Sequence, residues 1–257
     1  MIISEHAIIH ESAKIAPGVS IGPGTVIGAD VEIGAGTWVG PHVVIQGPTV
    51  IGEYNKIFQF ASIGDAPQDI TYNDEPTRLE IGNNNIFREF ATVSRGTVKG
   101  GGLTKIGNGN FLMAYTHVGH DSLVGNHVIM VNHAALSGHV IVHDYVNLGA
   151  YAAVHQFCHV GAYAFIARAT YITKDVLPYV MIAGNDTSAC GVNTVGLRRG
   201  GFSADTINIV RRAYKIIFRK GLTVQEAVAE LEILQSSCPE LLPMIDALRK
   251  STRGIVR

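Results

Sequence analysis

Residues 15–40 read IAPGVSIGPGTVIGADVEIGAGTWVG, with an aliphatic residue at every sixth position: Ile15, Ile21, Ile27, Ile33 and Val39. The spacing holds without a miss from Ile3 to Ile63. Neither an α-helix, with its period of 3.6, nor a half-buried strand, with a period of two, produces a period of six. One inward aliphatic residue per six is the repeat of a parallel β-helix. A glycine commonly follows it (Gly22, Gly28, Gly34, Gly40, Gly52), and we expect that glycine to accommodate a tight corner where a side chain would crowd the backbone. Three hexads close one triangular coil, so residues 18 apart stack at the strand spacing of about 4.8 Å.

Asp69 and Glu75 stand where aliphatics are next due, and the period returns at Ile81, Phe87 and Val93. It lapses again over Ser94–Lys105, then runs unbroken from Ile106 to Ile172, one residue out of phase. The count is 26 hexads, or eight to nine coils. We therefore expect an all-β, left-handed parallel β-helix over residues 1–178, with projecting loops at 65–80 and 94–105. Long loops that interrupt a regular scaffold are commonly functional. After Pro178 the pattern changes, and we expect a transition segment over 179–202 and an α-helical domain over 203–257. Ser203 is placed to cap a helix with apolar residues at Ile207, Val210, Tyr214, Ile217 and Phe218. Thr223-Val-Gln-Glu226 reads as a capping box opening a second helix through Leu234, and a third follows Pro239. One task for such a domain is to cover an open end of the solenoid.

The net charge of −1 is unevenly spread. Residues 198–257 carry eleven Lys/Arg against six Asp/Glu, and the remainder carries nine against fifteen. A basic tail on an acidic body invites an acidic partner. No signal-like segment and no apolar run of 18 residues is present, so no membrane insertion is expected. With hexads beginning at Ile3, no separate N-terminal domain is expected. The cysteines Cys158, Cys190 and Cys238 lack metal-type spacing and suggest reduced thiols in a cytoplasm.

Eight of the eleven histidines fall between 117 and 159, a density that solenoid packing does not require. Counting by 18 places Gly138 and Gln156 in the column of His120, His139 in that of Asp121, and His155 in that of Gly119 and Ser137. We expect His120, Asp121, Gly138, His139, His155 and Gln156 to share a strip on one face, with His117 on a neighbouring corner. Such a strip has the parts of an acyl-transfer site. A histidine takes a proton from a hydroxyl, a carboxylate orients it, and a glycine offers a backbone N–H to an oxyanion. Two other readings fit the residue types. His117, His120 and His139 could ligate zinc in a hydrase, or the flat faces could serve a non-enzymatic binding scaffold.

At these residues the chain resembles the UDP-N-acetylglucosamine acyltransferase family. The similarity runs through Gln59–Gly64, Glu75–Arg78, Arg95–Val98, Gly100–Lys105, His117–Asp121, Leu136–Val140, Val154–Cys158, Gly191–Asn193 and Ser251–Gly254. It implies transfer of an (R)-3-hydroxyacyl chain from acyl carrier protein to the 3-hydroxyl of UDP-N-acetylglucosamine, the opening step of lipid A synthesis, with no metal or cofactor. It further implies His120 as general base, Asp121 as its supporting carboxylate and Gly138 as oxyanion donor. Gln68, Asp69, His117, His139, His155 and Gln156 fall on substrate contacts, Asn193 and Arg199 on nucleotide-side contacts, and Arg168 on the position that limits acyl length. A homotrimer with sites between subunits is implied, and the acidic carrier protein gives Arg211, Arg212, Lys215 and Arg219 a partner; nucleic acid is not expected. Departures from the family pattern are Ser94 for a histidine, Thr71 for a lysine, Val195 for a glutamate, Gly200 for an arginine, and Arg168 itself. They leave open a relative with another chain length or an amino-sugar acceptor. The related N-acyltransferase carries an extra N-terminal uridine-binding domain, which these hexads leave no room for.

Overall fold

The computed structural model describes residues 2–184 and 186–257. Twenty-six short strands, from Ile2–Ile3 to Tyr171–Ile172, follow one another around a prism with three parallel faces. We call the face with Phe111–Leu112 the first, that with His117–Val118 the second and that with Leu123–Val124 the third. Pairing confirms the 18-residue step: His117 lies beside Ala135, and Ala135 beside Ala153. The inward residues form one continuous core, with Ile27, Ile45, Ile63, Leu112, Leu136 and Ile166 all at most 1% exposed.

Two steps are longer. Ile63 pairs with Val93, 30 residues on, and Val93 with Val118, 25 on. The excesses over 18 are twelve and seven, and the odd seven accounts for the one-residue phase shift. Strands Ser62–Asp65, Arg78–Ile81, Thr92–Ser94 and Leu103–Ile106 run past the usual two residues. The projecting loops are therefore 66–77 and 95–102, narrower than the aliphatic gaps suggest. Arg78 pairs with Leu103, so the lapse in inward aliphatics overstates the break in the ladder.

The glycines after the aliphatic residues also do something other than turn the corner. A Cβ on Gly22 would lie 2.6 Å from Pro41 N, and one on Gly34 would lie 2.5 Å from the carbonyl carbon of Gly52, each on the next coil. They let coils stack. The turn comes two residues later, at positive φ, held by Gly24 early on but by Tyr115, Asp121, His139 and Phe157 later. Between the third and first faces a buried polar ladder satisfies the corner backbone. The Asn85 side chain accepts from Asn110 N at 2.9 Å and donates to Gly107 O at 2.9 Å and to Asn55 Oδ1 at 3.0 Å.

Residues 179–202 are more than a transition. Val180–Ala183 extends the first face beside Phe165 and pairs antiparallel with Ser188–Val192, and helix α1 follows (Thr194–Arg199). Helix α2 (Ala204–Arg219) is capped by Ser203 and buries Ile207, Val210, Tyr214 and Ile217. Helix α3 (Val224–Gln235) opens on the full capping box. A 3₁₀ turn, Pro239–Leu241, leads into α4 (Leu242–Lys250). Tyr214 OH donates to Ala189 O at 2.7 Å and Tyr179 OH to Glu240 O at 2.8 Å, fixing the helices to the end of the prism. Among the described residues no helix is long and apolar enough to cross a membrane.

Candidate active site

The chain leaves the second face at Val118, turns through His120 and Asp121, and enters the third at Leu123. The strip of His120, Asp121, Gly138, His139, His155 and Gln156 therefore lies along a corner, and His117 lies on the flat face beside it. This reverses the expected placement. An 18-residue count gives columns, but which columns turn is set by where φ becomes positive, at Asp121 (59°) and His139 (61°).

His120 Nδ1 lies 2.8 Å from Asp121 Oδ2, so Nδ1 carries the proton and Nε2 keeps a lone pair. The Asp121 side chain is only 1% exposed. Its charge is matched instead by Thr97, whose backbone N–H donates to Oδ1 at 2.8 Å and whose hydroxyl donates to Oδ2 at 2.7 Å. Thr104 Oγ1 accepts from Asp121 N at 2.8 Å and holds the main chain in its left-handed turn. His139 meets His120 edge-on at 5.1 Å between centroids and stacks on Phe157 at 4.4 Å. Burial lowers the His139 pKa, with Asp121 partly opposing. His117 Nδ1 lies 2.8 Å from Thr92 Oγ1, and burial, then the neighbouring His120, lowers its pKa.

One coil on, Gly138 leaves the space that His120 fills. A Cβ there would stand 2.5 Å from the imidazole Cε1. Among the described residues nothing accepts a hydrogen bond from the Gly138 N–H, so that donor is available beside the base.

The two loops close over this corner together. Thr71 N and Oγ1 donate to Asp69 Oδ1, each at 2.9 Å, and lower the Asp69 pKa; Lys99 and His120 add smaller effects in the same direction. Lys99 Nζ donates to Thr71 Oγ1 at 2.8 Å. Arg95 donates to Gly64 O at 2.8 Å and to Tyr72 OH at 3.1 Å. Gln68 is exposed on the same loop.

Other expected contacts lie elsewhere. His155 meets Arg253 at 3.4 Å, bringing the C-terminal segment to the strip, and Gln156 is exposed beside it. Asn193 is committed to the fold: Oδ1 accepts from Gly196 N at 3.0 Å and Nδ2 donates to Tyr163 O at 2.8 Å. Arg199 is exposed in the last turn of α1, beside Gly200, where a Cβ would stand 2.6 Å from Tyr163 Cε1 at the corner between third and first faces. Arg168 is exposed at the remaining corner, between first and second faces. Sequence reasoning missed Thr92, Thr97, Thr104, Lys99 and Arg253. None shares a column with His120: Thr92 pairs with His117, Thr104 lies on the coil below beside Asp121, and a loop or the chain's last segment brings Thr97, Lys99 and Arg253 close.

His120, Asp121 and His139 offer ligand atoms within 4.8 Å of one another, and His117 is not in that group. The zinc reading thus loses one of its three histidines. Asp121 Oδ2 already accepts from Thr97 and His120, which a cation would have to displace. The donor set suits proton transfer better than an ion.

Residues 175–256 match the family described as Udp N-acetylglucosamine O-acyltransferase, domain 2. Over 251 residues, 98% of this chain and 97% of its relative, the sequence is 51% identical to the acyl-[acyl-carrier-protein]--UDP-N-acetylglucosamine O-acyltransferase of Saccharophagus degradans. The solved structure of LpxA from Acinetobacter baumannii matches with a TM-score of 0.98 and 48% identity over all of both chains. The Francisella novicida UDP-N-acetylglucosamine acyltransferase matches with a TM-score of 0.97 and 44% identity, covering 100% of this chain and 94% of that one. Fold and corner site together define a hexapeptide-repeat acyltransferase with a left-handed β-helix. On its full-length identity to these relatives, the chain belongs to the UDP-N-acetylglucosamine O-acyltransferase family.

Proposed function

We infer that the protein transfers an (R)-3-hydroxyacyl chain from acyl carrier protein to the 3-hydroxyl of UDP-N-acetylglucosamine, the first step of lipid A biosynthesis. The observation that carries this is the His120–Asp121 pair, with Nδ1 held at 2.8 Å by a buried carboxylate and Nε2 left to act. His120 Nε2 takes the proton of the sugar hydroxyl as its oxygen attacks the thioester carbonyl. The Gly138 N–H donates to the developing oxyanion. Collapse breaks the C–S bond, and the departing thiolate takes the proton from the imidazolium. Asp121 stays ionised and stabilises the charged ring. No cofactor is required, because the thioester is already activated.

Substrate contacts are proposed for Gln68, Asp69, His117, His139, His155 and Gln156 around this corner. Arg199 and the α1 segment beginning at Asn193 are proposed for the nucleotide side, and Arg168 as a residue that shortens or reshapes the acyl pocket. These groups sit at three different corners of one chain. A side-by-side homotrimer would bring a corner of one subunit to a different corner of the next, which supports a site between subunits. Carrier-protein docking is proposed at Arg211, Arg212, Lys215 and Arg219. Arg212 and Lys215 line a groove of about 460 Å³ between α2 and α3, floored by Ile216, Ile233 and Leu234. We place the protein in the cytoplasm, where its three cysteines stay reduced.

The test is direct. Purified protein is incubated with UDP-N-acetylglucosamine and a series of 3-hydroxyacyl carrier proteins, and products are weighed by mass spectrometry. One O-acylated sugar nucleotide is expected, at a chain length limited by Arg168. No mass gain with any donor would sink the assignment.

A further inference from the structure

We propose that Thr97 is a positioning residue for the transfer: it holds the Asp121 carboxylate in the one orientation that presents Oδ2 to His120. The proposal rests on the reaction inferred above.

Within the coils, among the described residues, only His120 Nδ1 reaches that carboxylate at hydrogen-bond distance, with His139 Nε2 3.7 Å from Oδ2. Thr104 secures the Asp121 backbone, not its side chain. The side chain is almost wholly withdrawn from water, so its charge needs donors from the protein. Three hydrogen bonds reach it: Thr97 N to Oδ1, Thr97 Oγ1 to Oδ2, and His120 Nδ1 to Oδ2. Two of the three come from one residue, 4% exposed, in a loop outside the repeat. That residue is itself locked. Its hydroxyl accepts from Gly100 N at 3.2 Å and its carbonyl accepts from Gly102 N at 2.8 Å, so the tight turn Val98–Gly100 fixes it. Gly100 then lies flat against the carboxylate, and a Cβ there would stand 2.0 Å from the Asp121 Cγ. The second loop thus both orients the carboxylate and keeps water from it. Without the hydroxyl, His120 is the one donor within hydrogen-bond distance of Oδ2 among the described residues; Thr97 N still holds Oδ1, but the carboxylate can tilt about that contact.

Thr97→Val keeps shape and backbone N–H and removes only the hydroxyl; Thr97→Ser keeps the hydroxyl. Hydrogen bonds to charged groups are strong enough that we expect Thr97→Val to lose roughly ten- to hundred-fold in kcat. KM for the sugar nucleotide should change by no more than about twofold, since ground-state binding is spared. Thr97→Ser restores the rate. In substrate-free protein, NMR of the His120 ring should show the Nδ1–H resonance, which reports the hydrogen bond to Asp121, shifted or broadened in the valine variant and restored in the serine one. Wild-type kcat and ring resonance in Thr97→Val, or serine as impaired as valine, would overturn the proposal. If the wild type itself yields no acylated product, the reaction is wrong, and the ring resonance alone decides whether Thr97 holds Asp121.

Discussion

Asp121, His139 and Phe157 stand in one column at φ of 59°, 61° and 65°, and one backbone conformation serves a carboxylate, an imidazole and an aromatic platform. At these three positions the chemistry is therefore set by the side chain. His120→Ala should lower kcat by roughly 10²–10⁴-fold, the range for a lost general base. The unfolding midpoint should be unchanged, because the ring lies outside the prism core. Steady-state kinetics with parallel denaturation checks both, and near-full activity would remove His120 from its role. His117 carries a pH signature. Burial, then His120, holds its pKa below the ordinary 6.5. Once the pH falls below about 6.5 the unfolded chain binds a proton that the folded one resists, so stability declines on that side. Urea midpoints should fall on acidification through this window, and His117→Gln should flatten the decline. Equal slopes would show that His117 is not a source of acid sensitivity.

Among elements, the asparagine ladder carries more of the coil-to-coil register than its polarity suggests. Asn85 is fully buried, and its amide bonds two coils and the corner between them. Asn85→Leu leaves Asn110 N–H and Gly107 C=O without partners in a dry corner, at a cost on the order of 3 kcal/mol. Chemical denaturation measures it, and a variant of wild-type stability would mean the ladder is dispensable. The columns were legible beforehand because the inward aliphatic keeps its period: His120, Gly138 and Gln156 line up by counting. What counting lacks is where strand ends and corner begins, and it placed His117 on the wrong feature. Thr97 was out of reach because loop 95–102 has no period, and its fold depends on a turn capped by Thr97 itself. Asn193 has a structural task that its sequence position does not show: its amide accepts from Gly196 N and donates to Tyr163 O.

At the scale of the molecule, charge is divided between ends. The prism is acidic, while α2 presents Arg211, Arg212, Lys215 and Arg219 to solvent. For an acidic carrier protein this is a steering surface whose pull weakens as salt rises. Replacing Arg211, Arg212 and Lys215 with glutamine should raise KM for the acyl carrier, leave KM for the sugar nucleotide alone and flatten the salt dependence. An unchanged carrier KM would leave α2 as an ordinary solvated helix.

The stacked coil has one further consequence. Gly138 and Gln156 lie one and two coils beyond His120, and the helices close the prism shortly after. The gap between base and helical cap is thus quantised, tunable only in whole steps of about 4.8 Å. A cargo tethered to a protein seated on that cap must span an integer number of such steps. Gaining one coil beyond Gln156 would lengthen that reach by a whole step while leaving Gly138, His139 and Gln156 in place relative to His120.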